Sequence, residues 1–233
     1  MADTFSEDDD DVATKKKVTR LKRKDSLTKA NGLKRFETEC SAAAIRYLIH
    51  TDNFDSNDLI RETIFADLLI IEAHEKFTAS LQAPSSFIRN LLKNTNCPVL
   101  LVPDSFTAIE SVTVLYNGDP SSVLALKMFN YLFPNFDDLR TQIIYAQAPG
   151  SLNQIPDAQM MKEWGQQHFS NIDYEVLHNT SKEQFLEELK NKHAHSLIIA
   201  GAYHRSLLSM SLHPSLADSI IRQLNNPLFV MHY

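Results

Sequence analysis

The sequence predicts an α/β protein in which helices flank parallel sheets. Three observations carry that prediction. Short apolar runs alternate with amphipathic stretches of helical length along most of the chain. Several of those runs, such as DLLIIE (67–72) and SLIIAG (196–201), are apolar almost throughout, as strands buried on both faces are. The same order of elements also recurs about 130 residues further on.

The elements follow in order. The first 24 residues are a charge block, acidic EDDDD (7–11) and then basic KKKVTRLKRK (15–24). The acidic part is expected to be disordered and the basic part to lead into a solvated helix. SLTKANGLKRFETEC (26–40) reads as a helix and AAIRYLIH (43–50) as a strand. DSNDLIRETIF (55–65) begins with capping residues and reads as a helix. The strand DLLIIE follows, then PSSFIRNLLKNT (84–95), an amphipathic helix with proline in its first turn, and the strand CPVLLVP (97–103).

A second series runs strand SVTVLY (111–116), helix PSSVLALKMFNYLF (120–133), strand TQIIYAQ (141–147) and a helix over 157–169. Strand IDYEVLH (172–178) precedes helix SKEQFLEELKNK (181–192), whose early glutamates and late lysines suit the helix dipole. Strand SLIIAG, helix PSLADSIIRQL (214–224) and strand PLFVMH (227–232) complete the series. Strands joined by helices of this length imply right-handed βαβ units.

Composition excludes several classes of function. The chain has 233 residues, 43% hydrophobic and 22% charged, the balance of a globular protein with a sizeable core. A net charge of −6 argues against nucleic acid as the main partner, and the mixed charge block at the start largely cancels itself. No apolar run approaches the roughly 18 residues of a membrane span. Cys40 and Cys97 make neither a disulfide framework nor a metal knuckle, and read as reduced thiols of a cytoplasmic protein.

Only five glycines occur: Gly32, Gly118, Gly150, Gly165 and Gly201. A Walker loop or a GxGxxG fingerprint is therefore absent. No serine sits in G-x-S-x-G, and Glu187 and Glu188 lie on a solvated helix face, so no catalytic residue is assigned. His193, His195, His204, His213 and His232 match no closed set of metal ligands, and no metal is expected. Trp164 in MMKEWGQQHF reads as a core or surface anchor.

FADLLIIEAHEKF…APSSFIRNLLKNTNCPVLLVP (65–103) lines up with HSLIIAGAYHRSL…HPSLADSIIRQLNNPLFVMH (195–232), Pro84 with Pro214 and Pro98 with Pro227. An internal duplication explains this order. Strand, loop, helix and proline-led strand, preceded by SVTVLYNGDPSSVLALKMF, resemble the universal stress protein family. The likeness covers residues 111–232 well and 36–103 in part, and looks like a tandem member. It divides the chain into a charged segment 1–24, a partial repeat 25–103 and a complete repeat 104–233.

The resemblance implies two parallel sheets flanked by helices, with strand order 3-2-1-4-5, paired within the chain through their last strands. A homodimer is compatible with it. Projecting the offset back from 111–116 lands before Met1. The first repeat is therefore expected to lack its first strand and helix, and MADTFSEDDDD is a poor candidate for its second strand. On that reading the chain as written truncates a longer protein, and three strands of the first repeat remain.

Nucleotide-binding members carry Gly-x2-Gly-x9-Gly-Ser/Thr after the fourth strand, where backbone amides and a hydroxyl meet the phosphates. Here the positions are Gly201, His204, Pro214 and Ser215, and proline has no N–H to donate. The family's aspartate after the first strand is Asn117, followed by Gly118 and Asp119. In the first repeat Glu72 and Glu75 face the same place, where carboxylates oppose a triphosphate. His204 with Arg205 could still contact an anion.

The expected degenerate site is therefore Asn117, Gly118, Gly201, His204, Arg205 and Ser215, with no required cofactor. The resemblance implies a non-catalytic cytoplasmic stress-response protein that binds a partner or a small ligand. The alternative is weak ATP or AMP binding through the second repeat, with slow hydrolysis or a nucleotide-dependent switch.

Overall fold

The computed structural model describes residues 30–50, 56–74, 84–105, 108–146, 155–178, 180–201 and 216–231. The chain divides into two compact units, one up to Asn53 and one from Phe54 onward. In the first, helix α1 covers 30–42, with an Arg35–Glu39 ion pair on its exposed face.

The end of α1 corrects the expected strand at 43–50. Ala44 takes φ 54°, the Ala44 N–H bonds the Ser41 carbonyl at 3.2 Å, and the Ile45 N–H bonds the Cys40 carbonyl at 2.8 Å. This is a Schellman stop with alanine in the glycine position. The two alanines that looked like the start of a strand terminate the helix. Residues 45–50 form no strand, although Phe36 and Tyr47 pack edge to face at 5.8 Å.

In the second unit α2 is Ser56–Glu62, β1 Leu69–Glu72, α3 Ser86–Asn94 and β2 Val99–Val102. Next come β3 Ser111–Tyr116, α4 Pro120–Leu132, a 3₁₀ turn Pro134–Phe136 and β4 Arg140–Ala146. Then follow α5 Ala158–His168, β5 Ile172–Leu177, α6 Lys182–Lys192, β6 Ser196–Gly201, α7 Leu216–Gln223 and β7 Leu228–Met231. The starts are set locally. Ser85 caps α3 by accepting the Ile88 N–H, Pro120 opens α4, and Ser181 and Gln184 form a reciprocal capping box on α6.

The seven described strands join one sheet in the order β1-β2-β7-β6-β3-β4-β5. From β5 inward the later strands run third, second, first, fourth, fifth, the order that the resemblance implies. Every pairing is parallel except β2 with β7, which is antiparallel. The last strands of the two series, β2 and β7, thus join the expected sheets into one, to which the segment before β3 contributes two described strands rather than three.

Side chains alternate between two cores, one on each face. Leu101, Leu115, Ile144, Ile198 and Val230 pack under α3, α6 and α7 through Ile88, Leu92, Phe185, Leu189 and Ile220. Val114, Ile143, Ile199 and Phe229 pack under α4 and α5 through Leu126, Phe129 and Met161. Phe129 meets Phe229 edge to face at 5.5 Å.

A local two-fold relation organises the seam. Arg89 on α3 and Asp218 on α7, 129 residues apart, pair at 3.3 Å. The same offset carries the β1/β2 register, Leu69↔Val99 to Glu72↔Val102, onto β6/β7, Ile198↔Leu228 to Gly201↔Met231. It also carries the bond from Leu69 N–H to Pro98 O onto that from Ile198 N–H to Pro227 O, each 2.9 Å. Across the seam Leu100 faces Phe229, while Val99↔Val230 and Leu101↔Leu228 exchange roles about that pair.

Candidate functional site

The sheet order reverses at β3, which has β4 on one side and β6 on the other. Ligands of open parallel sheets bind in the crevice that such a switch opens at the carboxyl ends of the strands. Here that crevice is bounded by the residues after Tyr116, the start of α4 and the end of β6. Leu115 pairs with Ala200, so Asn117, Gly118 and Gly201 are brought to one place. His204, Arg205 and Ser215, with Pro214, lie outside the described residues.

The turn after β3 is closed on itself. The Asp119 N–H donates to Asn117 Oδ1 at 3.0 Å, and Asn117 Nδ2 donates to Asp119 Oδ2 at 2.6 Å. Gly118 takes φ +85°, which L side chains avoid, and an added Cβ would lie 2.8 Å from the Pro156 ring. Asp119 is the N-cap of α4 but makes no side-chain capping bond. Its carbonyl instead accepts from the Ser122 N–H at 3.0 Å and from the Ser122 hydroxyl at 2.7 Å.

These bonds consume what a phosphate would use. Pro120 has no N–H, the Ser122 N–H is taken, and the Asp119 carboxylate stands where the helix dipole would favour a ligand anion. A second carboxylate, Asp157, is close enough to act on Tyr116. Burial pushes the Tyr116 hydroxyl pKa up first, and the charges of Asp157, Tyr145 and Asp119 push it further. That hydroxyl donates to the Pro156 carbonyl at 2.9 Å.

Gly201 has a packing reason to be glycine. A Cβ there would lie 2.3 Å from the Ser122 nitrogen and 2.5 Å from Ser121 C and Ser122 Cα. The end of β6 presses on the backbone of the first turn of α4, whose Ser121 and Ser122 are buried. Glu72, at the corresponding place 129 residues earlier, ends β1 and is exposed.

The described histidines of the cluster, His193 and His195, are not at this crevice, and His204, His213 and His232 lie outside the described residues. His193 caps the C-terminus of α6, near the opposite ends of the strands, with Nδ1 3.0 Å from Thr113 Oγ1. Its Nε2 is buried without a protein hydrogen-bond partner, and burial pulls the imidazole pKa down. Among the described residues no group of three or more His, Cys, Asp or Glu is placed to hold a metal ion. Trp164 stacks on His168 at 4.2 Å against the α4/α5 core, an anchoring role.

One feature escaped the sequence reading. A polar cleft of about 590 Å³, lined by Thr113, Arg140, Gln142, Asp173, Glu175 and His193 among others, opens at the amino ends of β3, β4 and β5. Its residues come from three strands and a helix end, so no local motif announces it. Alternate polar positions in 140–142 and 173–175 were the available signal.

No family model matches the sequence, and no curated protein sequence matches it either. Solved structures do. A universal stress protein from Archaeoglobus fulgidus DSM 4304 superposes with a TM-score of 0.63 at 18% identity, covering 89% of this chain and 79% of that one. A protein of unknown function from Pseudomonas aeruginosa PAO1 gives 0.58 at 14% identity, covering 87% and 77%. The chain therefore shares the α/β fold of the universal stress protein structures, a mostly parallel seven-stranded sheet flanked by helices.

Proposed function

We propose that this chain is a tandem universal-stress-protein-like protein acting in stress response, without catalysis, by binding a partner or a small ligand other than a nucleotide. The register of β1/β2 on β6/β7, and the two-fold seam between β2 and β7, support two related repeats joined as a pseudo-dimer. Cytoplasmic residence is in keeping with the two free cysteines, both buried. Among the described residues no helix is long and apolar enough to cross a membrane.

The observation that carries the reading is the closed Asn117–Asp119 turn. It satisfies its own donors, removes an N–H at Pro120, and sets a carboxylate at the α4 N-terminus. A nucleotide would have to break these bonds and bring its own negative charge beside Asp119.

Thermal unfolding with and without ATP or AMP and magnesium tests this. A ligand at 100 times its dissociation constant adds about 2.7 kcal/mol. For a chain of this size that is a rise of roughly 5–10 °C in Tm. No rise is expected at millimolar nucleotide. A rise of that size at micromolar nucleotide would replace this reading with the nucleotide-dependent alternative.

A further inference from the structure

The polar cleft at the amino ends of β3, β4 and β5 lies where one face of the sheet changes character. On β3 that face carries Leu115, then Thr113 and Ser111; on β4, Ile144, then Gln142 and Arg140; on β5, Leu177, then Glu175 and Asp173. The first residue of each set packs in the core that α6 helps to cover. The others line the cleft, together with Lys192 and His193 at the end of α6. The charges there are already matched. Arg140 Nε and Nη2 donate to Asp173 Oδ2 at 3.3 and 3.2 Å, and Lys192 pairs with Glu188. Gln142 Nε2 donates to Glu175 Oε2 at 2.6 Å.

One group in the lining is not matched. His193 is only 6% exposed, and its Nε2 has no hydrogen-bond partner among the described residues. Thr113 fixes what that nitrogen is. The buried Thr113 hydroxyl lies 3.0 Å from His193 Nδ1, its one side-chain partner among the described residues. The hydroxyl proton therefore goes to Nδ1, which leaves the ring hydrogen on Nε2. The result is a buried N–H donor in the wall of the cleft, and an acceptor brought to it recovers the free energy that its burial costs. Glu175 is close enough for its charge to act on this imidazole, and no described residue donates to its second oxygen.

We propose that this cleft binds an uncharged, polyhydroxylated small molecule of the monosaccharide or cyclitol class, with one hydroxyl held between the His193 Nε2–H and Glu175. A hydroxyl suits that pair because it accepts from one and donates to the other. An anion would stand beside Asp173 and Glu175, and a cation would meet the His193 N–H and Arg140. The Arg140–Asp173 and Gln142–Glu175 pairs offer further donors and acceptors to neighbouring hydroxyls. At about 590 Å³ the cleft is of ordinary ligand size. The proposal rests on the small-ligand reading above. ATP titration tests that reading at the opposite ends of the strands, so the two can fail separately.

Nuclear magnetic resonance of the full chain tests it. Imidazole proton–nitrogen spectra, with His193 assigned by its loss in His193→Asn, are expected to show the ring proton on Nε2. Titration with glucose or with myo-inositol, up to hundred-millimolar, is expected to give saturable shifts of that imidazole and of the Thr113, Gln142 and Glu175 amides with at least one of the two. Acetate and ethylammonium are expected to give none. Glu175→Ala, at a half-buried position, is expected to weaken binding by at least about tenfold with the rest of the spectrum unchanged. No shift with either polyol, the result of a cleft that takes water only, would overturn the proposal. So would an equal response to acetate or ethylammonium, undiminished affinity in Glu175→Ala, or a ring proton on Nδ1. The wild-type amide shifts decide the matter even where a variant does not fold.

Discussion

Gly201→Ala is expected to destabilise the second unit by about 3 kcal/mol, the upper part of the range for overpacking a tight site. The added Cβ would sit 2.3 Å from the Ser122 nitrogen and 2.5 Å from two further backbone atoms, where ordinary contact is 3.4–4 Å. Relief therefore requires the backbone itself to part by about 1 Å. Neither side yields easily: β6 is paired with both β3 and β7, and α4 is held by buried Leu126 and Phe129. Urea unfolding of wild type and variant, compared at unchanged slope, reads the difference. Gly32→Ala is the control, since nothing lies within 4 Å and the helix should gain a few tenths to about 1 kcal/mol. A Gly201→Ala variant within about 0.5 kcal/mol of wild type would refute the packing account. It follows that loss of any ligand in a Gly201 variant would report the fold before it reported the site.

Three further outcomes are expected. Ala44→Gly should raise the stability of the first unit by about 1 kcal/mol, because φ 54° costs alanine what it does not cost glycine; an unchanged melting curve would contradict the Schellman stop. Val230→Lys should cost roughly 3–5 kcal/mol, since Val230 is 2% exposed and faces Val99 across the seam; a stable variant would mean the seam does not hold the sheet together. Burial lowers the His193 pKa below 6.5, opposed by Glu175 and Glu188 and assisted by Lys192 and Arg140. The unfolded chain then takes up a proton first, so stability should fall as pH drops below 6.5 and level off below the folded pKa. Melting curves of wild type and His193→Asn between neutral and mildly acid pH should diverge over that interval, and parallel curves would contradict the shift.

Much of the sheet could be read from the chain because its strands are buried on both faces. SVTVLY and SLIIAG became β3 and β6, with Val112, Val114, Ile198 and Ile199 all buried. The offset between 65–103 and 195–232 was legible because each β2-like strand follows a proline whose carbonyl bonds the neighbouring strand. AAIRYLIH misled for a definite reason. Apolar alternation reports a segment able to pair, not a neighbour to pair with, and its first two alanines complete the end of α1.

The site was legible only in part. Asn117, Gly118 and Gly201 do converge at the switch of strand order. The sequence could not show that Asn117 and Asp119 bond each other, because both are ordinary turn residues until the side-chain rotamers are known. Nor could it show that Gly201 answers to Ser121 and Ser122, some eighty residues earlier in the chain. Long-range packing of that kind leaves no local pattern.

The most direct measurement is a calorimetric titration of ATP with magnesium into the full chain, in parallel with a variant carrying Asn117→Asp, Asp119→Ser and Pro214→Gly. These changes break the amide–carboxylate bond between positions 117 and 119, move the carboxylate from the α4 N-cap to the end of β3 and restore an N–H donor at position 214. The account predicts no measurable heat of binding for the wild type and a gain of affinity in the variant. A micromolar dissociation constant for the wild type, unimproved by the three substitutions, would contradict it.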